Sequence, residues 1–421
     1  MKNALEQQIR KIAQAAKKAS YALALVSTDE KNAVLKKMAQ ALLSQASFLM
    51  TENQKDLLEA KRQKYPASLV ERLLLNEKRI KAMADSLQET AQLKDPVGEI
   101  LETNHRPNGL VIQKVRVPIG VVGIIYESRP NVTSDCIGLC LKAGDAVILK
   151  GGKEAVYSNK AILKVLREVL KDSKIPADAI QLIASVDRTA VNILLKQKET
   201  VDLIVPRGGE SLIEFVAKHS LIPVVKHYKG VCHTYVSEHA DLNMAHHISF
   251  NAKVQRPGVC NAMETLLVHR DAAPRFLPVM VDEYKKAGVE IRGCPITRRM
   301  VKKGIKAAKE ADWYTEYLDL ILAVKVVDSL QEAIDHINTY GSHHSDAIVT
   351  DDQKEAELFC KSVDSACVYT NASTRFTDGY EFGLGAEVGI STDKIHVRGP
   401  MGLEGLTTYK YIVTGTGQVR Q

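Results

Sequence analysis

An α/β protein built on two doubly wound parallel sheets is what this sequence predicts, and three patterns carry the prediction. From residue 120 to 225, apolar runs suited to buried strands alternate with helical periods. The same alternation resumes after Gly230 and continues to 349. Ahead of both, 111–117 alternates apolar and polar side chains, as a strand of a small β arm does.

Size and composition agree. A chain of 421 residues exceeds one ordinary core, so two or three domains are expected. Its 45% hydrophobic and 25% charged residues are those of a water-soluble globular protein. No apolar run is long enough to span a bilayer, and the start, Met1-Lys2-Asn3-Ala4-Leu5-Glu6, reads as an amphipathic helix without a signal-peptide core. Seven scattered cysteines without CxxC pairing suit a reducing cytoplasm. Cys136 and Cys140, one helical turn apart, read as core packing. The net charge of +7 lacks the basic blocks interleaved with aromatics that nucleic-acid binding needs.

The first hundred residues read as a helical scaffold. Ser27-Thr28-Asp29-Glu30 has the form of a capping box, opening a helix with Ala33, Val34, Met38, Ala41 and Leu42 in period. Leu57 and Leu58 mark another helix, and Pro66-Ala67-Ser68 leads into Leu69, Val70 and Leu73 to Leu75. An Asn108-Gly109 turn then introduces the 111–117 strand, an oligomer arm or an ordinary edge hairpin. The first succession predicts strands at 120–125, 146–149, 181–183, 201–205 and 223–225, with helices at 131–143, at 158–171, through 194–195 and from Gly209. The second predicts strands at 231–236, 264–268, 320–327 and 347–349, and helices from 242 to about 254, through 300–308 and at 329–340. The tail, 409–413, is a short strand that pairs with the 111–117 hairpin or with a neighbouring subunit.

One loop concentrates the chemistry. Gln255-Arg256-Pro257-Gly258-Val259-Cys260 ends a helix in an Arg-Pro-Gly turn and presents a cysteine just before a strand. There a thiol is either an exposed, immobile nucleophile or a buried structural residue. In the first sheet no GxGxxG follows the first strand. Val205-Pro206-Arg207-Gly208-Gly209 instead offers a helix N-terminus for a pyrophosphate, and Lys150-Gly151-Gly152 a cation and two small residues at a strand end. Glycine pairs at such turns also arise for geometry alone. His246-His247 and His343-His344 are adjacent pairs with no carboxylate or cysteine completing a ligand set, so no metal is expected.

Taken together, the Cys260 loop, Lys150 and the helix at Asn131 resemble the aldehyde dehydrogenase superfamily, and within it the gamma-glutamyl phosphate reductases. The stretch 327–348 is similar to that family's signature, with Ala333, His336-Ile337 and Gly341-Ser342-His343-His344-Ser345-Asp346 in its spacing. Tyr126-Glu127-Ser128-Arg129-Pro130-Asn131-Val132 and the glycine-rich 382–392 also look like its motifs. The resemblance implies an aldehyde-dehydrogenase-like fold, with 1–100 and 113–227 binding NADPH and 228–370 carrying the catalytic cysteine. It assigns 101–112 and 400–421 to an oligomerisation arm, and 371–399 to substrate-site and interdomain loops.

It further implies Cys260 as nucleophile and Asn131 as the amide that shares an oxyanion with the Cys260 backbone N–H. Lys150 and Glu316 match residues on the two riboses of the cofactor, and Gly208 and Gly209 align near its pyrophosphate. NADPH enters through the resemblance, since no arginine is tied by sequence to a 2′-phosphate. Arg129, Arg256 and Asp378 are candidates for substrate, with Glu381 beside them. Hydrolytic relatives carry a general-base glutamate where this chain has His227-Tyr228-Lys229-Gly230. That departure favours a cytoplasmic oxidoreductase turning L-glutamyl 5-phosphate into L-glutamate 5-semialdehyde in proline biosynthesis. Two alternatives stand beside it, a hydrolytic NAD-dependent semialdehyde dehydrogenase and a non-catalytic homologue. Implied partners are a second copy in a dimer or tetramer and glutamate 5-kinase, with neither nucleic acid nor membrane.

Overall fold

Capping fixes where the first helices begin. Ser27 Oγ accepts the Glu30 N–H at 3.3 Å, one half of the expected capping box, while the Glu30 carboxylate accepts the Lys174 N–H at 2.9 Å instead of that of Ser27. Five helices follow one another: α1 (Lys2–Leu23), α2 (Thr28–Ser44), α3 (Ala46–Arg62), α4 (Ala67–Leu73) and α5 (Glu77–Gln92). Their apolar faces, among them Ile9, Leu35, Met38, Leu42, Leu49 and Leu87, are fully buried. The structure is a computed structural model that describes residues 2–301 and 304–420. They fall into two units: one up to Lys226 with Gly383–Gly389 and the chain from Met401, the other His227–Phe382 with Ile390–Pro400. Among the described residues, no helix is long and apolar enough to cross a membrane.

In the first unit, β1 (Ile100–His105) and β2 (Val111–Pro118) form the hairpin, with Gly109 at φ +87° in its turn. The C-terminal strand Thr407–Thr414 lies antiparallel along β2, from Thr407 opposite Pro118 to Thr414 opposite Val111. The tail thus pairs with the hairpin of its own chain. Next come β3 (Val121–Tyr126), α6 (Asn131–Ala143), β4 (Ala146–Lys150), α7 (Val156–Leu170), β5 (Ile180–Leu182), α8 (Thr189–Leu194), β6 (Leu203–Arg207) and α9 (Glu210–His219). The strands form a parallel sheet in the order β5-β4-β3-β6. Every residue of β3 and β4 is buried, the reason both read as unbroken apolar runs. The strand expected at 223–225 is reduced to one bridge between Val224 and Ile204. Pro223 accepts the Ile204 N–H but has no N–H to extend a ladder.

The second unit holds β7 (Cys232–Val236), α10 (Leu242–Val254), β8 (Met263–His269), α11 (Ala273–Lys286), β9 (Glu290–Gly293), α12 (Pro295–Met300), β10 (Lys306–Ala307), α13 (Glu310–Trp313), β11 (Ile321–Val327), α14 (Leu330–Tyr340), β12 (Ser345–Val349), α15 (Gln353–Ser362) and β13 (Cys367–Thr370). Its seven strands are parallel in the order β10-β9-β11-β8-β7-β12-β13. The helix expected through 300–308 does not form. α12 ends at Met300, Gly304 takes a left-handed φ of +72°, and Lys306 and Ala307 pair with β9. Lys302 and Lys303 lie outside the described residues.

A buried ion pair closes this unit around the cysteine loop. Lys253, at the end of α10, donates to Glu264 Oε2 on β8 at 2.5 Å, and both side chains are wholly buried. Burial pushes the Glu264 carboxyl up and the Lys253 ammonium down from their ordinary values, with the partner opposing each shift. Replacing Glu264 by Ala therefore strands a buried cation and is expected to cost about 3–5 kcal/mol of stability. The double change Lys253→Met with Glu264→Leu should restore most of it. Urea midpoints of the three variants check this, and equal losses in single and double variants would show the charges are not coupled.

Candidate active site

Loop 255–262 hangs between α10 and β8, so its two ends are set by the Lys253–Glu264 pair. Asp241 caps the start of α10 by accepting the Met244 N–H. The loop closes on itself where the Ala262 N–H reaches the Val259 carbonyl at 3.0 Å. Asn261 then moors it to the segment beyond β13. Its amide donates to the Thr377 carbonyl at 2.7 Å, and its own carbonyl accepts from Thr374 Oγ1 at 2.7 Å. Cys260 on this loop is partly accessible, whereas Cys136, Cys140, Cys232, Cys294 and Cys367 are buried. Exposed Cys360 is the seventh. Of the two alternatives left open by sequence, a buried structural thiol does not describe Cys260.

Gly230 explains the geometry of that thiol. A β-carbon there would lie 1.7 Å from the Cys260 carbonyl oxygen, so only glycine admits this approach. The Gly230 N–H is held by Glu316 Oε1 at 2.9 Å, which gives the candidate ribose ligand a local task as well. Beneath the loop, the Cys232 thiol donates to the Cys260 carbonyl at 3.2 Å. Burial raises the Cys232 thiol well above its usual range and keeps it protonated.

Two histidines converge on Cys260. The sulfur and one ring nitrogen each of His227 and His344 lie within 4.8 Å of one another. The rings of His227 and His344 meet edge to face, 5.5 Å between centroids. His227 Nδ1 stands 2.9 Å from the Ile390 carbonyl; a carbonyl only accepts, so Nδ1 carries the proton. His344 is fully buried, and burial drops its pKa to about 3, so its ring is neutral. The structure thus brings a cysteine close to His344, which the spacing of the 343–344 pair did not suggest. His343 points elsewhere, to the Asp364 carbonyl at 2.6 Å. The cysteine that joins His344 is 84 positions away in sequence, and spacing along a chain does not reveal such a meeting.

Arg375 is the site residue that the sequence reading missed. Burial pushes its guanidinium down, the Arg256 charge adds to this, and the Cys260 and Asp378 charges oppose it. It is thus a half-buried cation in the electrostatic field of the thiol. Its Nε donates to Gln255 Oε1 at 2.9 Å. The available signal was its place three residues before Asp378. Arg256 and Asp378 are exposed, and Asp378 accepts the Tyr380 N–H at 2.9 Å.

The first unit carries the remaining candidates. Asn131 opens α6, and its amide donates to Asp135 at 2.9 Å. That leaves the second amide hydrogen for another acceptor. Burial raises the Asp135 carboxyl to about 6, against the hydrogen bonds from Asn131 and Ser86. Arg129 is exposed two residues earlier. Lys150 ends β4 with its ammonium buried and donating to the Gly151 carbonyl at 2.7 Å. Beside it a groove is lined by Gly151, Gly152, Lys153, Asn159 and residues 182–186. A β-carbon at Gly151 would sit 2.2 Å from the Asn159 amide. At α9 the Gly209 N–H is taken by Glu127 Oε2 at 3.1 Å, so a carboxylate of the chain itself fills the expected pyrophosphate position. A β-carbon at Gly208 would lie 2.5 Å from the same carboxylate, at the end of a flexible side chain.

Comparison with known proteins agrees with this picture. Residues 1–293 match the model of the aldehyde dehydrogenase family. A gamma-glutamyl phosphate reductase of Caldanaerobacter subterraneus is 58% identical over 97% of this chain and 99% of its own length. The enzyme of that name from Geobacter metallireducens is 54% identical over 99% and 100%. The crystal structure of the Thermotoga maritima gamma-glutamyl phosphate reductase superposes with a TM-score of 0.97 at 47% identity, covering 98% of this chain and 100% of that one. An acetylating aldehyde dehydrogenase from Geobacillus thermoglucosidasius, at 18% identity and a TM-score of 0.69 over 99% and 98%, shares the fold.

The Gly230 contact makes a sharp expectation. Gly230→Ala should displace the Cys260 peptide at a cost of about 1–3 kcal/mol. Alkylation of Cys260, followed by peptide mass spectrometry, should change in rate while that of Cys360 does not. An unchanged Cys260 rate at full stability would refute the close approach.

Proposed function

The chain belongs to the aldehyde dehydrogenase family, in its gamma-glutamyl phosphate reductase branch, and on that premise we propose a reaction for it. It reduces L-glutamyl 5-phosphate to L-glutamate 5-semialdehyde and phosphate in the cytoplasm, as a step of proline biosynthesis. The observation that carries this reading is the accessible Cys260 thiol beside His227 and Arg375.

The Cys260 thiolate attacks the acyl carbon, phosphate leaves, and a thioester remains on sulfur. His227 presents the lone pair of Nε2, its Nδ1–H being held by Ile390, and so can take the thiol proton. Arg375 and Arg256 supply cationic charge for the thiolate and for the phosphate or carboxylate of the substrate. Asn131, its amide held by Asp135, keeps the role that the family resemblance implies, a donor to the oxygen that gains charge in each step. NADPH, when bound, supplies the hydride that turns the thioester into the aldehyde. The buried Lys150 ammonium and the small residues after it fit the adenosine end of such a dinucleotide. At α9 a pyrophosphate has to displace Glu127.

Two further readings go with this one. An acyl phosphate is labile in water, so a glutamate 5-kinase that hands it over directly is a fitting partner. The exposed Tyr409, Tyr411 and Val413 of the C-terminal strand, with Ile100 and Leu101 of β1, suit a second copy of the chain. All seven cysteines are free, in keeping with a reducing compartment.

The reverse assay tests the reaction. Pyrroline-5-carboxylate, phosphate and NADP⁺ should yield reduced nicotinamide, followed by absorbance. Oxidation that proceeds equally without phosphate would instead identify a hydrolytic dehydrogenase. Cys260→Ala should abolish turnover with dinucleotide binding intact, and Asn131→Ala should lower kcat about 100- to 1000-fold. Arg375→Gln and Arg256→Gln should raise KM for the acyl phosphate far more than for NADPH. The opposite pattern would move both arginines to the cofactor.

A further inference from the structure

The cluster around Cys260 contains more nitrogen than nucleophilic attack requires. One thiol and two imidazoles offer donor atoms within 4.8 Å of one another. Each ring is held in the way a metal ligand is held. His227 gives its Nδ1–H to the Ile390 carbonyl, as a ligating imidazole is oriented by a carbonyl on its other nitrogen. His344 Nδ1 lies 2.8 Å from Ser345 Oγ, itself 2.6 Å from Thr377 Oγ1. The other nitrogen of that ring, Nε2, is buried and without a hydrogen-bond partner. A buried polar atom left so costs free energy unless something meets it.

We infer that Cys260, His227 and His344 form a site for a soft divalent cation, Zn²⁺ foremost, whose binding reversibly silences the enzyme by engaging the nucleophilic sulfur. A cysteine and two histidines are zinc donors, and three ligands leave a fourth position for water. Around tetrahedral zinc, donor atoms stand about 3.5 Å apart, so the cluster needs only a small contraction. Arg375 and Arg256 nearby disfavour ions held mainly by charge, and the absence of oxygen donors within the triad disfavours calcium and magnesium. Binding forms a sulfur–metal bond and releases the thiol proton to solvent. Nothing is oxidised or reduced. Binding stands on the geometry alone; inhibition rests also on the proposed role of Cys260.

Cobalt(II) titrated into the chelator-treated, full-length protein tests the site directly. One equivalent should produce a sulfur-to-cobalt charge-transfer band and the intense visible bands of a tetrahedral ion, both displaced by Zn²⁺. Cys260→Ser should remove the charge-transfer band, and Cys360→Ser should leave it unchanged. His227→Gln, at a partly exposed position, should weaken binding by more than about 100-fold, beyond what loss of an outer-shell partner costs. His344→Gln should do the same, with its circular dichroism recorded because the side chain is buried. Weak octahedral spectra, or affinity unchanged in Cys260→Ser or His227→Gln, would overturn the site. In the reverse assay, Zn²⁺ should suppress turnover at the occupancy that cobalt competition reports, and a chelator should restore it. Full occupancy with undiminished turnover would overturn the inhibitory role and Cys260 as nucleophile, while leaving the metal site standing.

Discussion

Cys260 is placed by a contact that only a glycine can make. The Gly230 backbone approaches the Cys260 carbonyl more closely than any β-carbon would permit, and Glu316 fixes the Gly230 N–H from the other side. The loop cannot shift toward β7 without a clash. Nor can its ends separate easily, because Lys253 and Glu264 meet across them in the dry interior. Asn261 adds a third restraint by binding the carbonyl of Thr377. In the proposed reaction, a nucleophile held in this way would lose little motional freedom on meeting its substrate, which is the main advantage of a rigid loop over a mobile one.

The electrostatic setting follows from burial. His344 is neutral because it is buried, so it brings polar atoms but no charge to the sulfur. Arg375 keeps its charge close to the thiol, although burial works against it. A permanent guanidinium is therefore a resident cation of the site. This arrangement also accounts for the two readings of the same cluster. The lone pairs that can receive a proton during turnover are those that zinc would occupy in the resting protein.

The sheets were legible because parallel strands buried on both faces are largely apolar, as β3, β4 up to Lys150 and the 266–268 run of β8 are. The Ser27 cap and α6 were legible from local rules, since capping and helical period act within one or two turns. Legibility failed where a local pattern was outvoted. Residues 300–308 look helical, yet Gly304 turns left-handed and 306–307 complete the edge beside β9. Pro223 likewise cut a predicted strand to one bridge. Cys260 was legible from its Pro-Gly turn and from motif resemblance. Arg375 and the His227–His344 convergence were not, because each depends on segments about a hundred residues apart in the chain and close only after folding.

Carboxylates near the loop are engaged by the chain itself. Glu264 is wholly buried against Lys253 and also accepts the Leu318 N–H at 3.2 Å. Glu316 spends one oxygen on the Gly230 N–H. The position matching the hydrolytic glutamate holds His227, whose ring is anchored to a backbone carbonyl. In the proposed reaction a thioester on Cys260 would be consumed either by hydride or by water, and the faster route would separate reductase from hydrolase. In that reaction, committing the nearby carboxylates to backbone and lysine would slow the water route without weakening the nucleophile. In the proposed reaction, selectivity between reductase and hydrolase thus comes as much from where the acids are tied as from which residue replaced the base.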